Sequence, residues 1–124
     1  MDAQRLAQLQ ALGRIALGGW LIAAPASLGG GWVGGVADRR AGQTLAIGLG
    51  ARDLALGFGQ LVSARHRRGR AARPWIRAGM AADLGDLLGT LRARDELPPL
   101  AVPAVAAIAG GSILLGAWLQ SALD

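Results

Sequence analysis

Gly50-Ala51-Arg52-Asp53-Leu54-Ala55-Leu56-Gly57 is the stretch on which the reading of this 124-residue chain turns. An arginine and an aspartate stand side by side within an otherwise apolar run at 41–64. A second stretch, Ala82-Asp83-Leu84-Gly85-Asp86-Leu87-Leu88-Gly89, repeats the conflict inside the run 75–91. Its two aspartates are three residues apart, which puts them on one face of a helix. A charge at the centre of a bilayer costs at least ~2.5–3.5 kcal/mol on insertion scales. Four such charges persist there only if they face one another or water enclosed by the helices.

Two further apolar runs, 15–36 and 100–120, flank these. A helix rises about 1.5 Å per residue and the hydrocarbon core is about 30 Å thick, so a span takes roughly 17–25 residues. The runs at 15–36, 41–64 and 100–120 satisfy this; the run at 75–91 is at the short end. None alternates as a strand would. The connectors 37–40, 65–74 and 92–99 carry charge, and the last two end in proline, which suits a helix start. The pattern predicts one all-α domain over residues 1–124: a four-helix transmembrane bundle with spans near 15–36, 41–64, 75–91 and 100–120. A soluble four-helix bundle would need wider polar faces than these segments offer. Ala24-Pro25-Ala26 imitates a leader cleavage site, but proline between the small residues weakens it. A first span bent near Pro25 is the expectation.

Composition agrees with a lipid-wrapped protein. Hydrophobic residues make up 52% and charged residues 17%, against about 25% charged in ordinary soluble domains. Cysteine is absent and there is one histidine, so no disulfide framework, thiolate centre or multi-histidine metal site can be built. No metal or other cofactor is expected. Tyrosine is absent and one phenylalanine is present, which is poor material for stacking on bases. The net charge of +5 therefore needs another explanation than nucleic acid. All of the basic residues are arginine, and Arg65, Arg67, Arg68, Arg70 and Arg73 cluster in one connector. A basic loop between apolar runs marks the cytoplasmic side and suits anionic lipid headgroups. With an even number of spans, both termini would then lie in the cytoplasm. His66 reads as a solvated loop residue.

The mid-run charges give the candidate site. Arg52 lies about 18 Å from the Ala64 end of its helix and Asp86 about 16 Å from the Trp75 end of the next, so the two are expected to pair. Ala46, Gly50, Asp53, Gly57 and Gln60 form one stripe, and Gly79, Asp83, Asp86 and Thr90 another. The expectation is a polar seam between these two helices. One arginine against three aspartates leaves a surplus of negative charge, so at least one acid is expected to keep a proton at neutral pH. The candidate ligand-binding set is Arg52, Asp53, Gln60, Asp83, Asp86 and Thr90. Twenty glycines, among them the Gly85/Gly89 pair, suit close helix packing inside the bundle or a homodimer contact.

Four uses of the charged cluster compete. It could be a structural lock that fixes helix register. It could bind a small lipophilic or cationic ligand, or support a partner membrane complex. It could be a membrane-embedded acid–base enzyme on a lipophilic substrate, an isomerase, cyclase or epoxide-opening type, with Asp53, Asp83 and Asp86 as the catalytic groups. It could be a small proton-coupled transporter, although the halves show no inverted repeat.

Arg14-x-x-x-Gly18, Pro25, Gly50-Ala51-Arg52-Asp53 and Asp83-x-x-Asp86 together resemble a family of small four-helix bacterial membrane proteins, broadly similar to DoxX-like proteins. The similarity spans roughly 14–91 and weakens in the last helix. It implies a four-span fold, and its bacterial members imply the bacterial plasma (inner) membrane; the alanine, glycine and arginine richness suggests a high-GC bacterial genome. It implies no reaction.

Overall fold

Asp2 opens the first helix. Its Oδ1 accepts the Arg5 backbone N–H at 2.8 Å, satisfying one of the donors that a helix start leaves free. The computed structural model describes residues 1–123, apart from the side chains of Arg67 and Arg68. Helix α1, Ala3–Ala23, stops where Pro25 removes an N–H and drives Ala24 out of the helical region, to φ −140°. Proline then starts α2, Pro25–Val33. Gly34, at φ +68°, ends α2 in a conformation that side chains resist. A 3-10 turn leads to α3, Arg40–Ala64. A second, Arg67–Ala72, turns the chain into α4, Arg73–Arg92. Helix α5, Ala101–Ala122, contains one π-helical turn at Ala106–Gly110.

The described residues are helical without strands, but they form five helices rather than the expected four-helix transmembrane bundle. The segment expected as one span at 15–36 is two helices, with the break at Ala24. The helix also begins well before the expected first span, since residues 3–14 belong to α1. Three helices, α1, α3 and α5, are long and apolar enough to cross a membrane. Helix α4, expected to span at 75–91, is not among them, because Arg73, Arg77, Asp83, Asp86 and Arg92 dilute its apolar character. Three such helices are an odd number, which does not place both termini in the cytoplasm as four spans would.

The tightest pair is α1 against α3, antiparallel. A Cβ at Gly18 would stand 2.6 Å from the Gly50 carbonyl oxygen, and one at Gly50 would stand 2.6 Å from that of Gly18. The backbones therefore touch because neither residue has a side chain. Further along, Gly57 lies against Ala11 and Ile15. Helix α4 runs parallel to α1, and α5 returns antiparallel, with Gly116 against Met80 and Ile76. Gly85 and Gly89, expected to pack inside the bundle or at a homodimer contact, face open space within the chain and so do not pack inside the bundle.

Three layers follow along the helix axes. At the end bearing the basic turn, Ala7, Ala64, Ala72, Ile76, Leu119 and Leu123 form a solid apolar core. Charged and polar side chains occupy the middle. The far half holds a cavity, capped by α2.

Candidate functional site

The buried face of α1 reads Ala7, Ala11, Arg14, Gly18, Leu21. Steps of four and three residues keep one face of a helix in contact with its neighbours. Arg14 thus points into the bundle at mid-height, with its side chain only 7% exposed. The α3 stripe of Ala46, Gly50, Asp53, Gly57 and Gln60 is buried as expected, but it faces α1 and not α4. From α4, Gly79 and Asp83 also turn toward Arg14. The expected two-helix seam is therefore a convergence of α3 and α4 on an arginine of α1.

The charged groups alternate in sign along a chain. Asp83 Oδ2 accepts from Arg14 Nη2 at 2.5 Å, and Arg14 Nη1 donates to Asp53 Oδ1 at 3.2 Å. The same Asp53 oxygen accepts from Arg52 Nε and Nη2 at 3.2 and 3.1 Å. Arg52 then grips Asp86 with both terminal nitrogens, at 3.0 and 2.7 Å. This bidentate fork is the expected Arg52–Asp86 pair and a strong form of charge-assisted bond. Arg52 is 30% exposed at its side chain, however, against 7% for Arg14. Arg14 is the interior hub and Arg52 the outer brace. The two guanidiniums meet three carboxylates, so the expected surplus of two negative charges falls to one. A plane of backbone at Gly79 lets the Arg14 guanidinium lie close, since a Cβ there would stand 3.0 Å from Nη2.

Polar side chains extend the network in both directions. Gln60 donates to the Ala7 carbonyl and to Gln10 Oε1, both at 2.9 Å. Gln10 donates to Ser112, which also accepts from Arg14 at 3.4 Å. At the other end Thr90 donates to the Asp86 carbonyl at 2.7 Å and accepts from Trp32 Nε1 at 2.8 Å. That last bond pins the capping helix α2 to α4.

Above the charged layer lies a cavity of about 450 Å³. Its α1 wall is Gly13, Leu17 and Leu21; α2 contributes Leu28, Gly31 and Trp32. The α5 wall follows the π turn, with Ala104, Val105, Ile108 and Ala109. Helix α1 meets α5 mainly beyond this turn, in its Gly111–Ala122 half, so the cavity lies where the two helices part. The walls are almost wholly apolar, and the carboxylates of Asp53, Asp83 and Asp86 form the polar floor beside Arg14 and Ser112. Asp53 Oδ2 and Asp83 Oδ1 accept no hydrogen bond from the described residues, although the two residues are 9% and 7% exposed.

Of the expected ligand-binding set, Asp53, Asp83 and Asp86 line this cavity; Arg52, Gln60 and Thr90 do not, and act one step away through their bonds. Arg65 and Arg70 are exposed at the basic end and Arg73 is half-buried there, while the side chains of Arg67 and Arg68 lie outside the described residues. Arg14, Gln10 and Trp32 are the members the sequence reading left out. The four-three spacing of Ala7, Ala11, Arg14, Gly18 and Leu21 carries the signal that α1 starts early and turns Arg14 inward. Comparison with protein families, with curated proteins and with solved structures finds no match to the chain.

Proposed function

We propose that the protein is an integral membrane protein that holds a small lipophilic molecule in the cavity between α1, α2 and α5. The cavity itself carries this reading. At about 450 Å³ it falls within the usual range for ligand sites, and apolar walls over a short polar floor suit an amphiphile rather than a water-soluble metabolite. Three helices long and apolar enough to cross a membrane support a bilayer setting, as does a charge network enclosed by helices instead of facing out. Widely exposed apolar side chains, such as Leu45, Phe58, Leu88 and Leu114, suit contact with lipid tails.

The test is native mass spectrometry of protein purified in a mild detergent, with wild type beside Gly13→Leu. Position 13 lines the cavity and an added Cβ there meets open space, so the larger side chain narrows the cavity without a clash. A retained small molecule that disappears in the variant is the expected result. A wild-type protein that binds no lipophile, or that remains in solution without detergent, contradicts the reading.

A further inference from the structure

We propose that the ligand's polar head is a cation with N–H donors, a lipophilic primary amine, seated against the free carboxylate oxygens of Asp53 and Asp83. This rests on the reading of the cavity as a lipophile site and names the class of molecule it would take.

The donors and acceptors at the cavity floor are unevenly used. Arg14 Nη1 and Nη2 are committed to Asp53, Asp83 and Ser112. Arg52 is committed to Asp53 and Asp86. The Trp32 N–H, on the same cavity wall, is taken by Thr90. On the acceptor side, by contrast, among the described residues Asp53 bonds through Oδ1 alone and Asp83 through Oδ2 alone. Their side chains are 12% and 10% exposed, and both residues line the cavity. The second oxygen of each carboxylate keeps accessible surface and takes no donor from the described residues, so it is open to a ligand's donor. What the floor lacks is therefore donors, and what it has in excess is one negative charge.

An ammonium answers both deficits. It brings three donors and one positive charge, and its alkyl chain covers the Leu17, Leu21 and Ile108 walls. A carboxylate or phosphate head would add negative charge to a floor that already sets three carboxylates against two guanidiniums. A bare metal ion is disfavoured as well: no group of three acidic or histidine side chains among the described residues could hold one, and an ion would leave the apolar walls uncovered.

The experiment uses the full chain in phosphatidylcholine nanodiscs, with radiolabelled dodecylamine as probe and empty nanodiscs as background. Dodecanol, dodecanoate and dodecyltrimethylammonium compete as unlabelled ligands of equal chain length. Dodecylamine is expected to bind saturably, with dodecanol and dodecanoate weaker by about tenfold or more, the scale of a charge-assisted hydrogen bond. Dodecyltrimethylammonium, which keeps the charge without N–H donors, is expected to fall between. Asp83→Asn removes one charge and keeps the shape; it should weaken amine binding by about tenfold and leave dodecanol unaffected. The head-group series on wild type decides the matter even if that variant does not fold. Equal competition by dodecanol or dodecanoate overturns the amine assignment while leaving the lipophile site standing. Saturable binding by none of the four compounds removes both together.

Discussion

Arg14 Nη2 lies 2.5 Å from Asp83 Oδ2, and this single bond joins the first helix of the chain to the fourth. The same guanidinium reaches Asp53 on α3 and Ser112 on α5, so one side chain touches an element on each side of it. Four long helices meet at a cation that is shielded from solvent. Arg52, linked to Asp53 and Asp86, bridges only α3 and α4 and does so from a partly exposed position.

Removing the hub should therefore cost more than removing the brace. Truncating one partner of a buried pair leaves uncompensated charge and typically costs ~3–5 kcal/mol. Arg14→Met is expected to lose stability on that scale, because Asp53 and Asp83 both lose a partner. Arg52→Met should lose distinctly less, since its carboxylates keep partial access to solvent or to Arg14. Unfolding curves in detergent, monitored by circular dichroism, give the comparison. A larger loss for Arg52→Met would contradict the assignment of Arg14 as the hub.

The α1–α3 contact makes a second prediction. Gly18→Ala puts a methyl group 2.6 Å from the Gly50 backbone oxygen, and backbone cannot swing aside. The helices must separate, at an overpacking cost of about 1–3 kcal/mol. Gly85→Ala, where open space surrounds the new group, should hold stability or raise it by up to about 1 kcal/mol, because alanine is the better helix former. Thermal midpoints of the two variants side by side check this. Equal behaviour of both would mean that α1 and α3 do not touch through glycine.

Much of the site was legible in the chain because polar residues among small ones stand out at helical spacing. The α3 stripe through Asp53 and Gln60 and the Arg52–Asp86 pair follow from period and depth alone. The partner of that stripe did not, since periodicity marks which face is buried and is silent on which helix covers it. Arg14 was hidden by its place near the N-terminus, where a charge before an apolar run reads as a flank. Only the Asp2 cap and the alanine spacing show that the helix has already run for three turns. The break at Ala24 was half visible: Pro25 marked a bend, but whether a proline kinks a helix or ends it depends on what the following segment packs against. Here α2 docks through Gly29 on Ala37 and Ala46 and through Trp32 on Thr90. The cavity had no sequence signature, being the space left where α1 and α5 part.

The basic end offers a third prediction. Arg65 and Arg70 are exposed where α3 gives way to the turn before α4. Each arginine near an anionic membrane surface contributes about 1 kcal/mol of attraction. In native mass spectra, Arg65→Gln with Arg70→Gln is expected to shed phosphatidylglycerol at lower collision energy than wild type. Retention of phosphatidylcholine should be unchanged. Identical loss of both lipids from both proteins would show that this cluster does not hold headgroups.

The bond between Trp32 and Thr90 is the only side-chain hydrogen bond that ties α2 to another helix among the described residues. It also closes the top of the cavity, because Trp32 lines it. Trp32→Phe keeps most of the apolar contact and deletes the donor; Thr90→Val deletes the acceptor and leaves the indole N–H unpaired. A hydrogen bond of this kind contributes about 0.5–1.5 kcal/mol. Global stability should therefore fall little, while local opening of α2 becomes several-fold more frequent. Hydrogen exchange of the amides in Pro25–Val33, read against those of α3, separates the two effects. Faster exchange confined to α2 in each variant, with no further gain in the double variant, is the expected pattern, since one shared bond can be lost only once. Exchange that is unchanged in α2, or accelerated equally in α3, would mean that the cap is held by packing and not by this bond.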